Sequence, residues 1–247
     1  MSEATLLVVQ HEDMCPPALV GRWLVDAGCS VEVCRPYAGD ELPDPAAYDG
    51  FVVLGGSMGA DDDDRHHWLG PVKERVRAAA AAEVPTLGIC LGHQLAAVAL
   101  GGTVEVNPRG QQVGLLPVGW EPEVQDDPLF GALAGPRRGV HWNNDVVTRL
   151  PEGGVALASA GGDVQVARHA RTVWGVQMHP EADLEVVRPW AASDEGSHRA
   201  RGIDQAALLR DIDVARTELD DAWRPLAAAF ATLARARASS SVPATDR

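Results

Sequence analysis

The sequence predicts an α/β protein with a doubly wound, mostly parallel sheet, a smaller antiparallel layer and C-terminal helices. Three observations carry this. Short β-rich runs alternate with helical patterns through residues 5–100. One of those runs, Phe51–Leu54, is continuously apolar, and Pro85–Ile89 reads as another buried strand, as expected of strands covered on both faces. From Thr103 to Met178 the pattern changes to short β runs separated by turn signals.

The elements follow in order. Thr5–Val9 reads as the first strand. Residues 16–27 read as a helix, with Leu19, Trp23 and Leu24 on one face and Gly28 as the stop. Ser30–Cys34 is a strand with Val31 and Val33 on one face, and Phe51–Leu54 is the next, ending in Gly55-Gly56. Pro71–Ala82 is a helix with proline in its first turn. Pro85–Ile89 is a buried strand, and Leu91–Leu100 is the helix after it.

In the second half, strands are expected at 113–118, 139–142, 146–150, 155–159, 164–168 and 172–178. Some extend the main sheet and others form the antiparallel layer. Residues 191–202 read as a polar connection, and 203–237 as helical with a kink or division at Pro225. The expected organisation is a domain over 1–190, a helical extension over 191–237 and a disordered tail over 238–247.

Composition excludes several function classes. The net charge of −14 argues against a nucleic-acid binder, which needs basic surface to displace counterions. No apolar run reaches the length of a membrane span, and the N-terminal stretch lacks the basic region of a signal peptide. The four cysteines, at 15, 29, 34 and 90, form neither a CxxC pair nor a Cys/His zinc pattern. A reducing, cytoplasmic setting is expected, with no metal or organic cofactor.

One cysteine stands apart. Cys90 lies in Gly88-Ile89-Cys90-Leu91-Gly92, between a strand and a helix. This is the layout of a nucleophile elbow, a tight turn that crowds the residues two before and two after the nucleophile. Both of those positions are glycine. The helix beginning at Leu91 directs its free N–H groups and positive dipole end at the sulfur, which favours the thiolate and a developing oxyanion. A lone cysteine after an apolar strand is otherwise an ordinary core residue. A thiolate nucleophile also needs a proton-handling partner with an orienting acceptor. His179 follows the strand at 174–178 and precedes Pro180-Glu181, placing a base and a carboxylate two residues apart.

At this point the sequence resembles a family. Gly-Ile-Cys-Leu-Gly-His-Gln (88–94) and Gly-Val-Gln-Met-His-Pro-Glu (175–181) are similar to two signature motifs of the class I glutamine amidotransferases. Residues 52–61, with Gly55-Gly56, resemble a third motif, and HWNNDVVTRLP (141–151) resembles a block of members akin to the glutaminase half of GMP synthase. The resemblance spans about residues 5–190 and implies a flavodoxin-like sheet. It implies that Cys90 attacks the side-chain amide of glutamine, that His179 moves the proton and that Glu181 orients His179. It further implies an oxyanion hole from the N–H groups of Gly56 and Leu91. Substrate contacts would come from Gln94 and from the 143–146 region, including Asn144 and Asp145.

Two departures bear on the site. Ser57 stands where the family usually has proline, which is expected to loosen the oxyanion loop slightly. Asn143 stands where related members often carry histidine, which bears on substrate contacts. The run Asp61–Asp64 reads as a solvated loop, with one aspartate ordering the chain behind Gly56, because adjacent carboxylates do not converge on one ion. His93 reads as a packed or solvated helix residue, and His11 as a sheet-end histidine able to face the pocket. Cys15, Cys29 and Cys34 read as core or surface thiols, and the seven tryptophans as core or rim.

Three functions are open. One is a glutamine amidotransferase chain passing ammonia to a synthase on another chain, since no Gly-x-x-x-x-Gly-Lys-Ser/Thr loop is present here. A second is a free-standing γ-glutamyl hydrolase or peptidase. A third is a binding or regulatory module without catalysis, against which the intact Cys90, His179 and Glu181 argue.

Overall fold

The computed structural model describes residues 3–240. Within them, eleven strands and six α-helices run in the order β1 (Ala4–Val9), α1 (Ala18–Asp26), β2 (Cys29–Cys34), β3 (Gly50–Val53), α2 (Leu69–Ala81), β4 (Thr86–Ile89) and α3 (Leu91–Ala99). They continue with β5 (Thr103–Val106), β6 (Gln112–Pro117), β7 (Arg138–Asn143), β8 (Asp145–Arg149), β9 (Val155–Ala160), β10 (Asp163–Ala170) and β11 (Val173–Val176). The helices α4 (Leu184–Ala200), α5 (Gln205–Val214) and α6 (Arg216–Ser240) complete the described chain.

The main sheet has seven strands in the order β2-β1-β3-β4-β11-β10-β9. The pairs from β2 to β11 are parallel, and β10 and β9 extend the edge antiparallel. Two-stranded pairs β5-β8 and β6-β7 form the smaller antiparallel layer. The fold is thus the one expected. Alternation along each central strand splits the core in two. Leu6, Val8, Val52, Leu87 and Ile89 face a cluster with Trp23, Trp223 and Phe230 from α1 and α6. Leu7, Val9, Phe51 and Val53 face Val72, Val76, Leu91 and Leu95 from α2 and α3. Burial on both faces is why these strands carry apolar residues at both sets of alternating positions.

The C-terminal region differs from the expectation in two places. Residues 191–200 are not a connection but the second half of α4. Asp183 caps that helix through Glu185 N (3.0 Å) and Val186 N (3.2 Å), and it buries Val186, Val187, Trp190, Ala191 and His198. The polar residues between these occupy the outer face, so local polarity concealed a helix with one buried stripe. The second difference is the helix division, which falls at Ala215 and not at Pro225. Pro225 lies on the exposed side of α6, where water can satisfy the carbonyl that its missing N–H leaves free. Residues 238–240 of the expected tail belong to α6 instead, and its remainder, 241–247, lies outside the described residues. The short strand β5 was not anticipated; its Val106 is exposed, and its pairing with β8 is what defines it.

Candidate active site

The carboxyl ends of the parallel strands converge on one cavity of about 300 Å³, the place where open α/β sheets present their ligand sites. Cys90 follows β4, and its backbone is strained, with φ 49° and ψ −105°. A left-handed φ at a residue with a side chain persists only where the surroundings enforce it. The enforcement is visible. Cys90 N donates to Val176 O at 2.8 Å. A Cβ on Gly88 would lie 2.4 Å from Gly92 O, and one on Gly92 would lie 1.9 Å from Val53 O. Only glycine fits at these two positions, which is the steric requirement read from the sequence.

His179 enters from the end of β11, held by His179 N to Val140 O at 2.7 Å. Its Nδ1 is 2.7 Å from Glu181 Oε1, and both side chains are almost fully buried. A point beside Gly55 lies 3.1 Å from His179 Cε1 and 3.6 Å from Cys90 Cβ, so the imidazole and the thiol flank the same spot. Burial alone pushes the imidazole down, but the Cys90 thiolate and the Glu181 carboxylate outweigh it and hold His179 well above its ordinary value. The arrangement suits a thiolate–imidazolium pair with a carboxylate behind it.

The expected substrate contacts share this cavity. Gln94, Asn143, Asn144 and Asp145 all line it. Gln94 Nε2 donates to Asp145 O (3.0 Å) and Gln177 Oε1 (3.3 Å), tying α3 to β8 and to the residue that follows β11. Asn143 Nδ2 donates to Gln112 Oε1 and to Asp145 O, each at 3.1 Å. Gly56 also lines the cavity, packed so tightly against Leu91, Met58 and His11 that a Cβ would lie 2.9–3.1 Å from each. Leu91 opens α3, where the first N–H groups have no intrahelical acceptor.

Ser57 is not loose. Its N–H donates to Glu12 Oε1 (2.7 Å) and its hydroxyl to Glu12 Oε2 (3.0 Å). Proline could make neither the N–H bond nor the hydroxyl bond, so the loop is held here by a carboxylate clamp. Behind it, Asp62 Oδ2 accepts from Gly59 N (2.9 Å), while buried Lys73 binds Ala60 O (2.9 Å) and Asp63 (2.6 Å). The aspartate run thus orders the loop, and no metal-binding cluster occurs among the described residues.

The other histidines sort clearly. His11 is buried behind Gly56, accepts from Trp68 Nε1 (3.2 Å) and does not line the cavity; burial lowers it to about 3. His93 is packed, with Nδ1 2.9 Å from Nε2 of buried His169. Cys15 is a buried core thiol, as expected, that also lines the cavity, with Sγ 3.4 Å from Glu12 Oε1. Burial, then Glu12, pushes its thiol far up. Cys29 and Cys34 are buried core thiols, as expected.

Several residues at or behind the cavity escaped the sequence reading. Gln177 Nε2 lies 3.6 Å from Cys90 Sγ, and its position inside the 175–181 motif was the available signal. Trp190 and Asp194 from α4, with Trp142 and Gln111, form a further wall. No local pattern marked them, because α4 reaches the cavity only through tertiary packing.

Fold and site together define a doubly wound α/β protein with a cysteine at a nucleophile elbow, facing a histidine–carboxylate pair. The model of the family "Glutamine amidotransferase class-I" matches residues 18–191. The chain belongs to the class I glutamine amidotransferase family. It is 29% identical over 183 residues to the putative glutamine amidotransferase-like protein YfeJ of Salmonella typhimurium, covering 72% of this chain and 76% of that one. It is 36% identical over 135 residues to a glutamine-hydrolyzing GMP synthase subunit of Halobacterium salinarum, covering 54% and 66%. A glutamine amidotransferase of Thermotoga maritima has the same fold, with TM-score 0.83 at 21% identity over 94% of this chain and 99% of that one. Among the described residues no helix is long and apolar enough to cross a membrane.

Proposed function

We propose that the chain hydrolyses the side-chain amide of glutamine through a Cys90 thioester. The strained Cys90 beside the His179–Glu181 pair is the observation that carries this reading. The Cys90 thiolate attacks the γ-carbonyl carbon. The N–H groups of Gly56 and Leu91 receive the oxyanion, and the tetrahedral adduct collapses as imidazolium His179 gives its proton to the departing nitrogen. Ammonia leaves. A water then attacks the thioester, passing its proton to His179, and glutamate departs with the thiolate restored. Glu181 holds His179 in the orientation both steps need. Gln94, Asn144 and Asp145 hold the amino-acid end of the substrate.

Relatives named as glutamine-hydrolyzing chains of GMP synthase support an ammonia-supplying role, with the acceptor chemistry on a separate synthase chain. A second reading, a free-standing γ-glutamyl amide hydrolase, is favoured by the tryptophan and aspartate wall that α4 adds to the cavity. The test is a glutamine analogue carrying an electrophile at the amide position. It is expected to modify Cys90 and leave Cys15 free despite their shared cavity, because burial keeps the Cys15 thiol protonated. Equal labelling of Cys15, or glutamine turnover that persists in Cys90→Ser, overturns the assignment.

A further inference from the structure

The cavity holds more negative charge than a glutamine molecule can match. Glu12, Asp145 and Asp194 line it, and among the described residues no lysine or arginine does. Glu12 is engaged by Ser57 and Cys15, and Asp145 sits beside Gln94 and Asn144, where the amino-acid end is held. Asp194 is left over. It belongs to α4, and its Oδ2 accepts from Trp142 Nε1 (2.9 Å) and Gln111 Nε2 (3.0 Å), which fixes the carboxylate at the cavity wall. The cations nearby do not neutralise it inside the cavity. Arg201 is spent on the side-chain and main-chain oxygens of Gln111. His198 Nε2 stands 3.9 Å from Asp194 Oδ2, and burial lowers its pKa against the pull of that carboxylate.

Aromatic rings lead from the reacting atoms to this carboxylate. Trp190 packs on His179, with ring centroids 4.6 Å apart, and Trp142 lies 6.2 Å beyond Trp190. Trp190 and Asp194 are four residues apart on α4 and share a face, about 6 Å along the helix axis. Indole faces next to a fixed carboxylate are the chemistry that recognises an ammonium group.

We propose that this wall is a subsite for the leaving group, and that the preferred substrates are γ-glutamyl amides of short diamines. The proposal rests on the thioester reading above and extends it. His179 protonates the departing nitrogen, so whatever that nitrogen carries lies against Trp190, and a terminal ammonium a few methylenes further on meets Asp194. The step balances as for glutamine. The thiolate–carbon bond forms, the carbon–nitrogen bond breaks, His179 supplies the proton and the diamine departs. Water then cleaves the thioester to free glutamate.

The test compares kcat/KM of the purified full chain for glutamine, for γ-glutamyl-pentylamide and for the mono-γ-glutamyl amide of 1,4-diaminobutane. The cationic amide is expected to exceed its neutral isostere by about tenfold or more, as one ion pair desolvated against an indole implies. Asp194→Asn is expected to shrink that ratio to near one. Equal rates for the two substituted amides, or a preference that survives Asp194→Asn, overturn the subsite. Turnover of glutamine alone also overturns it while leaving the thioester reading intact. Turnover of none of the three removes both.

Discussion

Replacing Glu12 with alanine tests how the oxyanion loop is held. The carboxylate accepts from both the N–H and the hydroxyl of Ser57, the residue after Gly56. Hydrogen bonds to a charged group are worth about 1.5–3 kcal/mol, and the lower figure applies because Ser57 is exposed, giving about 3 kcal/mol for the pair. The loop keeps its other anchors, Asp62 on Gly59 N and Lys73 on Ala60 O. About half of the clamp energy is therefore expected to appear as a misplaced Gly56 N–H, a loss of about tenfold in kcat. Complete loss of that donor sets the ceiling at about 10²- to 10³-fold. KM is expected to move less than kcat, since the proposed substrate contacts at Gln94 and Asp145 remain. Ammonia release from glutamine under saturating and limiting substrate separates the two. Adding Ser57→Pro to Glu12→Ala restores local stiffness by fixing φ without the clamp, and is expected to recover most of kcat. Wild-type kcat in Glu12→Ala refutes the clamp, as does a double variant no faster than the single one.

Glu181→Gln is expected to lower kcat by about 10²- to 10⁴-fold, since an amide can hold His179 in the wrong tautomer. In the same variant the alkaline limb of kcat/KM moves to lower pH, because Glu181 is one of the two charges that hold His179 high; an unmoved limb removes Glu181 from that role. Acid stability follows from the neutral buried histidines. Burial lowers His11 to about 3, His169 to about 3 and His141 to about 4, so their contribution is full above the unfolded value of about 6.5 and is lost below it, as the unfolded chain takes up protons that the folded chain refuses. Three such groups cost about 3 kcal/mol between pH 6.5 and 5.5, read by urea unfolding at the two pH values. His179 has the opposite sign: its raised value stabilises fully below the unfolded value and that contribution is lost as pH rises through the folded value, so between pH 6.5 and 5.5 it offsets only about 0.4 kcal/mol of that loss. A flat stability between those pH values contradicts the burial of these rings.

The residues themselves carried much of this protein. Continuous apolar runs dictated strands buried on both faces, and their alternation with helical patterns dictated a parallel sheet. Gly88 and Gly92 bracketed Cys90 because a turn that tight has no room for a side chain, and that constraint is local. The His179–Glu181 pair was legible for the same reason, being two residues apart across a turn. What the sequence could not decide depended on contacts between distant segments. The Ser57–Glu12 clamp joins loops 45 residues apart. The stripe that makes 191–200 a helix is apolar only against the cavity wall it completes, and Asp194 is fixed by Trp142 and Gln111 from elsewhere in the chain. Local sterics wrote the tight turn at Cys90 into the sequence, whereas the shape and charge of the space around it arose only when α4 packed against the ends of the strands.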